Sequence, residues 1–452
     1  MWPANSNGGA VKASRALLHS LPAATLVDGE RYPAHAKDIV HTRGDRAMDF
    51  SVPQETQALC GELERFMEDY IYPLERSRQR WVLQPGGPPY PPAIRALQDK
   101  AKELGYWAFH LPKEAGGAGL PFMQYVFVNE ILGRSPLAPV VCGSQAPDSG
   151  NAEILWRYGT EEQKERWLRP LVAGEIRSCF SMTEPEVAGS DPRLLRTTAV
   201  RDGDDYVING HKWFTSGAHG AAFAIVMALT NPERENPYLR YSMIIVPTDT
   251  PGFRIARGVP VLGDDDNHHA EIWYENCRVP VTNRLGDEGM GFVIAQERLG
   301  PGRIHHCMRW LGMAQRAFEM MCRYANQRFA FGSTLARKAN IQDWIAEARA
   351  DIQAARLMTL HAAWKIDTEG VQAAREEISL IKFFGARMLH SVVDKAVQVF
   401  GAAGVCDDLP LSHFYRQARL ARIYDGPDEV HKMVVARRIL QAYSNEAGER
   451  EG

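Results

Sequence analysis

The chain has 452 residues, 45% hydrophobic and 24% charged, an ordinary globular composition far from disordered or fibrous extremes. Fifty-two basic against 55 acidic residues leave a formal charge of −3, which offers no global field for a nucleic-acid backbone and excludes nucleic acid as an expected partner. The longest apolar runs, such as Ala221 to Leu229, fall well short of the ~20 residues a membrane helix needs, and at roughly 100–200 residues per domain two to three domains are expected.

Residues 1–47 carry Gly8-Gly9, scattered charges and no apolar core of signal-peptide length. They are expected to form a disordered tail, or to precede a true start at Met48. From 48 to 174 the pattern is helical: Gln54 to Tyr70 and Ala93 to Leu104 show helical spacing, a Pro/Gly loop lies at 85–89, and Thr160 with Gln163 predicts a capping box. From 175 to 290 the signal changes to short strands at Thr198 to Arg201, Tyr206 to Ile208, Phe223 to Ala228, Ser242 to Pro247 and Ala270 to Tyr274. Asn209-Gly210 predicts a hairpin turn. Strands without intervening helices imply a small barrel or sandwich. From 291 to 452 three long helical stretches follow, Phe292 to Phe331, Ile341 to Glu369 and Val371 to Ala402, and a last helix begins near Pro427. The fold class is α+β, mainly α: a helical domain, a small β-barrel and a four-helix bundle.

The seven cysteines are scattered, with no C-x-x-C pair, and read as reduced core thiols of a cytosolic protein. His268-His269 and His305-His306 are adjacent pairs whose side chains diverge, poor metal ligands, so no metal is expected. Gly116-Gly117-Ala118-Gly119 has no lysine after it and is no phosphate loop.

Four segments carry chemistry-bearing residues, each also open to a structural reading. Phe180 to Asp191 offers hydroxyls and backbone N–H groups, or an ordinary domain-crossing turn. Trp213-Phe214-Thr215 sets an indole beside a hydroxyl, fit for a planar heterocycle or a strand-end core. Gln398 to Gly404 ends a helix in glycines, for close approach of a ligand or a C-cap. Tyr424 to Glu429 holds a carboxylate in a tight turn, as a reactive group or an N-cap.

The order and spacing of these segments, from about Pro53 to Tyr443, resemble the acyl-CoA dehydrogenase family. The runs Gln145 to Asn151, Arg298 to Met308 and Asp425 to His431 resemble family members 10 and 11, which tilts the expectation toward long or modified acyl chains, hydroxylated ones included. The resemblance implies FAD as cofactor, acyl-CoA as substrate and an electron-transfer flavoprotein as acceptor. It places Phe180, Met182, Thr183, Trp213 and Thr215 at the flavin, with the Thr215 hydroxyl near N5. Arg328 and Phe331, with Gln398 and Gly401, would reach the FAD of a neighbouring subunit, implying a dimer or dimer of dimers. Pro427 and Glu429 would lie at the adenine side, and Ser190 and Gly426 at the substrate. Asp425 stands at the position of the family's glutamate base, one methylene shorter, while Gly302, before Arg303, occupies the alternative base position. Arg303 would orient the site wall, and exclusion of water is expected to raise the Asp425 carboxyl toward working pH. Departures are Ala330 for a common Thr, Ala339 for Gln, Pro427 for Thr, and an active-site loop one residue longer at Glu186-Val187-Ala188. An acyl-CoA oxidase or a nitroalkane-oxidase-like enzyme of the same fold is the alternative, and a flavin-free interaction module a more distant one.

Overall fold

The structure, a computed structural model, describes residues 51–77, 88–262 and 268–450, with side chains to residue 444. The tail expected at 1–47 and most of the loop at 85–89 lie outside the described residues.

Four principal helices precede the sheet: α1 Gln54–Phe66, α2 Pro92–Glu103, α3 Phe122–Leu132 and α4 Asp148–Tyr158. In α2 proline occupies the first turn, where its missing N–H costs nothing, Lys100 and Lys102 complement the last carbonyls, and Ile94, Gln98 and Ala101 form the buried stripe. Helix α3 buries residues on every side, from Tyr125 to Leu132, and so runs through the interior. Its neighbour is α5, Gly291–Gln327. A Cβ at Gly312 would lie 1.8 Å from Glu130 O, and one at Gly133 would lie 2.4 Å from Arg309 Cα, so the two backbones touch through glycines. The Thr160–Gln163 capping box forms as predicted, with both reciprocal bonds present.

The strands are β1 Ser178–Ser181, β2 Thr198–Asp202, β3 Asp205–Ser216, β4 Phe223–Leu229, β5 Tyr241–Pro247, β6 Phe253–Gly258, β7 His269–Pro280 and β8 Arg284–Leu285. They pair in the order β6-β7-β3-β2-β4-β5-β8, with β1 joining β4 in parallel. Strand β4, and β5 from Met243 to Val246, read as continuous apolar runs because both faces are buried. Phe223, Ile225, Met227, Met243 and Ile245 pack against Ile154, Leu155 and Trp167 of the helical part. Ala224, Val226, Ile244 and Val246 pack inward on Tyr206, Ile208, Ile272 and Tyr274.

The predicted hairpin at Asn209-Gly210 is not one. Both residues lie inside β3, beside an irregularity in its pairing with β7, and the reversal comes earlier, between β2 and β3 around Gly203. Glycine is required at 210 for another reason: a Cβ there would sit 2.2 Å from Thr197 Oγ1. Asn209 uses its side chain across the sheet, accepting from Asn276 N at 2.8 Å.

The C-terminal helices are α5, α6 Ala339–Glu369, α7 Arg375–Phe400, α8 Leu411–Ala421 and α9 Asp428–Arg450. Helix α5 stops at Gln327 instead of continuing to Phe331. A small hairpin, β9 Phe329–Ala330 with β10 Ser333–Thr334, turns through Phe331 (φ 49°) and Gly332 (φ 80°), left-handed conformations a helix cannot contain. Helix α8, absent from the sequence reading, buries Leu411, Phe414, Ala418 and Ala421 at helical spacing.

All seven cysteines are free. Cys142, Cys179, Cys277 and Cys307 are buried, but Cys60 and Cys322 are half-buried and Cys406, in the connection after α7, is exposed, which corrects the core-thiol expectation. Among the described residues no helix is long and apolar enough to cross a membrane, and no group of three or more His, Cys, Asp or Glu is arranged to hold a metal ion.

Candidate active site

Between α8 and α9 the chain makes a sharp reversal at Asp425 (φ 53°) and Gly426 (φ 100°). Aspartate tolerates the left-handed region better than most residues, at a cost of order 1–3 kcal/mol that the surroundings must offset. Three helices do so. From α5, Arg303 Nε donates to Asp425 O at 2.8 Å. From α7, the buried Lys382 Nζ donates to Ala421 O at 2.8 Å and Gly426 O at 3.2 Å. From α9, His431 Nε2 lies 3.2 Å from Asp425 O, so close that a Cβ at Gly426 would meet it at 2.7 Å. Trp310 Nε1 of α5 donates to Tyr424 OH at 3.0 Å.

The Asp425 carboxylate faces α5, with Oδ2 3.1 Å from His306 Nε2 and a quarter of the side chain exposed. Helix α9 starts at Asp428, whose carboxylate accepts from Arg422 Nε at 2.9 Å. The turn aims the Asp425 side chain into the bundle rather than at the helix start. A Cβ at Gly302 would stand 4.0 Å from Asp425 Oδ2, so the two positions compared in the sequence are adjacent in space.

The expectation of a raised carboxyl is corrected. Burial does push Asp425 up, but the His306 hydrogen bond and the charges of Arg298 and Arg303 outweigh it and hold it below the ordinary carboxylate range. Burial lowers both Arg298 and Arg303 from their usual values, and the Asp425 charge partly offsets this.

A second set of residues gathers where β1 meets β3. The Phe180 ring lies under the Arg298 guanidinium at 4.0 Å, and Arg298 Nε donates to Asn151 Oδ1 at 2.9 Å, tying β1 to α4 and α5. Trp213 N donates to Thr183 O at 3.0 Å, and Lys212 Nζ to Met182 O at 2.7 Å. Glu184 fixes this loop: its fully buried carboxylate accepts from Lys212 Nζ at 2.9 Å and from the N–H groups of Arg196 and Thr197 at 2.7 and 2.9 Å. Burial lowers Lys212 to about 8 despite the Glu184 charge. A pairing irregularity between Lys212 and Thr215 turns Phe214 (φ 49°) outward, and the adjacent Trp213 Nε1 is buried without a partner. Thr215 is wholly buried, and its hydroxyl lies 3.2 Å from Ser181 Oγ, which accepts from Tyr274 OH at 3.0 Å. The hydroxyl expected at flavin N5 is therefore engaged by the barrel.

The remaining predicted residues lie elsewhere. Arg328 and Phe331 are exposed on the β9–β10 hairpin, Phe331 at 98%. Gln398 and Gly401 sit at the end of α7, joined to the end of α5 by the stacked rings of Phe400 and Tyr324, 4.1 Å apart. Gly401 has φ 63°, and a Cβ there would meet nothing within 4 Å, an open backbone surface. Arg328, the residue that follows the last of α5, stands 25 residues beyond Arg303, roughly 38 Å of helix. Pro427 is half-buried and Glu429 exposed at the start of α9, and Ser190 is exposed in the loop after β1.

Sequence reasoning missed Glu184, Lys212, Lys382 and His431, and set His306 aside as a poor metal ligand. One signal was available: 303, 306 and 310 share a helix face, and all three meet the Asp425 turn.

Family profiles match three consecutive stretches, described as the acyl-CoA dehydrogenase N-terminal domain (residues 53–175), middle domain (179–277) and C-terminal domain (289–440). The chain is 47% identical over 399 residues to the "Probable acyl-CoA dehydrogenase FadE2" of Mycobacterium tuberculosis, covering 87% of this chain and 97% of that one. It is 43% identical over 398 residues to human acyl-CoA dehydrogenase family member 11, covering 86% of this chain and 50% of that protein, so it spans about half the length of that relative. The solved structure of butyryl-CoA dehydrogenase from Megasphaera elsdenii is similar with a TM-score of 0.75 at 28% identity, covering 87% of this chain and 100% of the other.

Proposed function

The chain belongs to the acyl-CoA dehydrogenase family and is an FAD-dependent enzyme of that class, and from this premise we propose that it dehydrogenates acyl-CoA thioesters to trans-2-enoyl-CoA in the cytoplasm. The observation that carries the proposal is the Asp425 carboxylate, held in a strained turn by three helices and faced by cations. FAD, when bound, supplies the acceptor for the β-hydride.

The residues present fit that cofactor: Phe180, Met182, Thr183 and Trp213, with an indole N–H lacking a protein partner, would wall a flat ring, and Thr215 would back it from within the barrel. Pro427 and Glu429 would meet the adenine side, and Ser190 and Gly426 the substrate. Asp425 removes the α-proton, and in the family pattern its own backbone N–H helps hold the thioester carbonyl. Arg303, Lys382 and His431 keep that turn from relaxing, and the nearby positive charges favour the enolate as it forms.

Arg328 and Phe331, exposed and far along α5 from Asp425, with Gln398 and Gly401, would contact the FAD of a second copy, making assembly and cofactor binding mutually dependent. Arg328→Ala is expected to lower both FAD content and oligomer stability, read by absorbance and size measurement. A monomer retaining full FAD would overturn the cross-subunit assignment.

The proposed acceptor is an electron-transfer flavoprotein. Acyl-CoA should drive reduction of that protein, or of an electron-accepting dye, with little oxygen consumption. Stoichiometric peroxide release with acyl-CoA would instead favour the oxidase reading.

A further inference from the structure

We propose that His306 is a positioning residue for Asp425, a neutral imidazole that donates its Nε2 proton to the carboxylate and keeps the other carboxylate oxygen aimed at the substrate. This rests on the reading of Asp425 as the base.

The tautomer follows from the neighbours on either side. Arg309 NH2 lies 3.0 Å from His306 Nδ1, and a guanidinium only donates, so Nδ1 must accept. The ring proton is then on Nε2, 3.1 Å from Asp425 Oδ2, where it has an acceptor of full negative charge. Arg309 is itself anchored at its other nitrogen, 3.4 Å from Ser144 O. The imidazole is held between two rings, Tyr424 at 4.8 Å and Trp310 at 6.1 Å between centroids, and those two rings are joined by the Trp310–Tyr424 hydrogen bond.

Burial lowers His306 from its usual value, with the Asp425 bond opposing, which agrees with a neutral ring. The charged and titratable groups facing the pair are Arg298, Arg303 and Arg309 from α5, Lys382 from α7, Tyr424 beside it and His431 from α9.

Backbone contacts fix where the Asp425 Cα sits, but none of them fixes its χ angles. The His306 bond does, by taking one of the two oxygens. It is the arrangement in which a buried carboxylate and an imidazole orient each other, here with the carboxylate as the reacting group and the imidazole as support. A shorter side chain than glutamate gains most from such support, since small angular errors are not absorbed by an extra methylene.

The test is His306→Ala beside His306→Gln, whose amide reaches the Nε2 position, both as the FAD-loaded oligomer. His306→Ala should retain FAD and bind acyl-CoA yet slow anaerobic flavin reduction roughly 10- to 100-fold, the worth of a hydrogen bond to a charged group. Losing that donor raises the Asp425 carboxyl, so the acid limb of the reduction rate should move to higher pH. His306→Gln should recover most of the rate and move the limb back. Reduction by His306→Ala within about twofold of the parent, or an unmoved acid limb with no rescue by glutamine, would overturn the proposal. Nitrogen NMR of the histidine-labelled parent provides a readout independent of turnover: His306 should show a protonated Nε2 and a bare Nδ1, and the opposite tautomer would overturn the assignment even if both variants misfold. If Asp425→Asn reduces flavin at the parent rate, the base reading itself fails, whatever the imidazole signal shows.

Discussion

Asp425→Asn is expected to give a folded, yellow protein that binds acyl-CoA but reduces its flavin on the order of 10²–10⁴-fold more slowly under anaerobic conditions, the usual worth of a positioned general base. Asparagine keeps the size of the side chain, tolerates the left-handed backbone at φ 53° and can still accept from His306 Nε2, so the turn should survive. What it loses is the ability to take a proton. The backbone of the turn should hold, because Arg303, Lys382 and His431 grip its main chain, while loss of the charge that offsets the burial of Arg298 and Arg303 should lower the melting temperature without unfolding the site. Bleaching by the variant within about tenfold of the parent rate, only about 1.4 kcal/mol of barrier, would remove Asp425 from the mechanism.

Glu184→Ala should be the most destabilising single change in the loop after β1. It strips the fully buried Lys212 of its counter-charge and leaves the N–H groups of Arg196 and Thr197 without their acceptor. Breaking a buried pair from one side costs about 3–5 kcal/mol. Replacing both partners, as in Glu184→Gln with Lys212→Met, should recover much of that loss, since the charge and its compensation leave together. FAD content should fall with Glu184→Ala, because Met182 and Thr183 are tied to β3 through Lys212 Nζ and Trp213 N. Thermal unfolding and bound-flavin absorbance measure both effects. A single variant with parental melting and full flavin would show that the pair does not organise the loop.

The fold was legible wherever one period dominated. The stripe of α2, the unbroken apolar runs of β4 and β5, and the Thr160–Gln163 box follow from burial of one face, burial of two faces, and the need to satisfy the first N–H groups. It failed where one residue type has two physical uses. Gly210 resembles a turn residue but is demanded by the Thr197 side chain across the sheet, and Asn209 bonds to Asn276 instead of bending the chain. Asp425 was singled out by its resemblance to a family position, yet its electrostatics were not legible, because the cations that hold its carboxyl low lie more than a hundred residues earlier, on α5. Likewise the buried Thr215 hydroxyl could not be placed without knowing that Ser181 and Tyr274 converge on it. Such networks are properties of packing between elements, which no local pattern records.

Anaerobic titration of the yellow protein with acyl-CoA thioesters of graded length and substitution tests the central claim most directly. At least one thioester should bleach the flavin stoichiometrically, with formation of the matching trans-2-enoyl-CoA and no bleaching by the corresponding free acid. A protein that holds FAD but is bleached by none of the thioesters, or that purifies without flavin and cannot be loaded with it, would contradict the account.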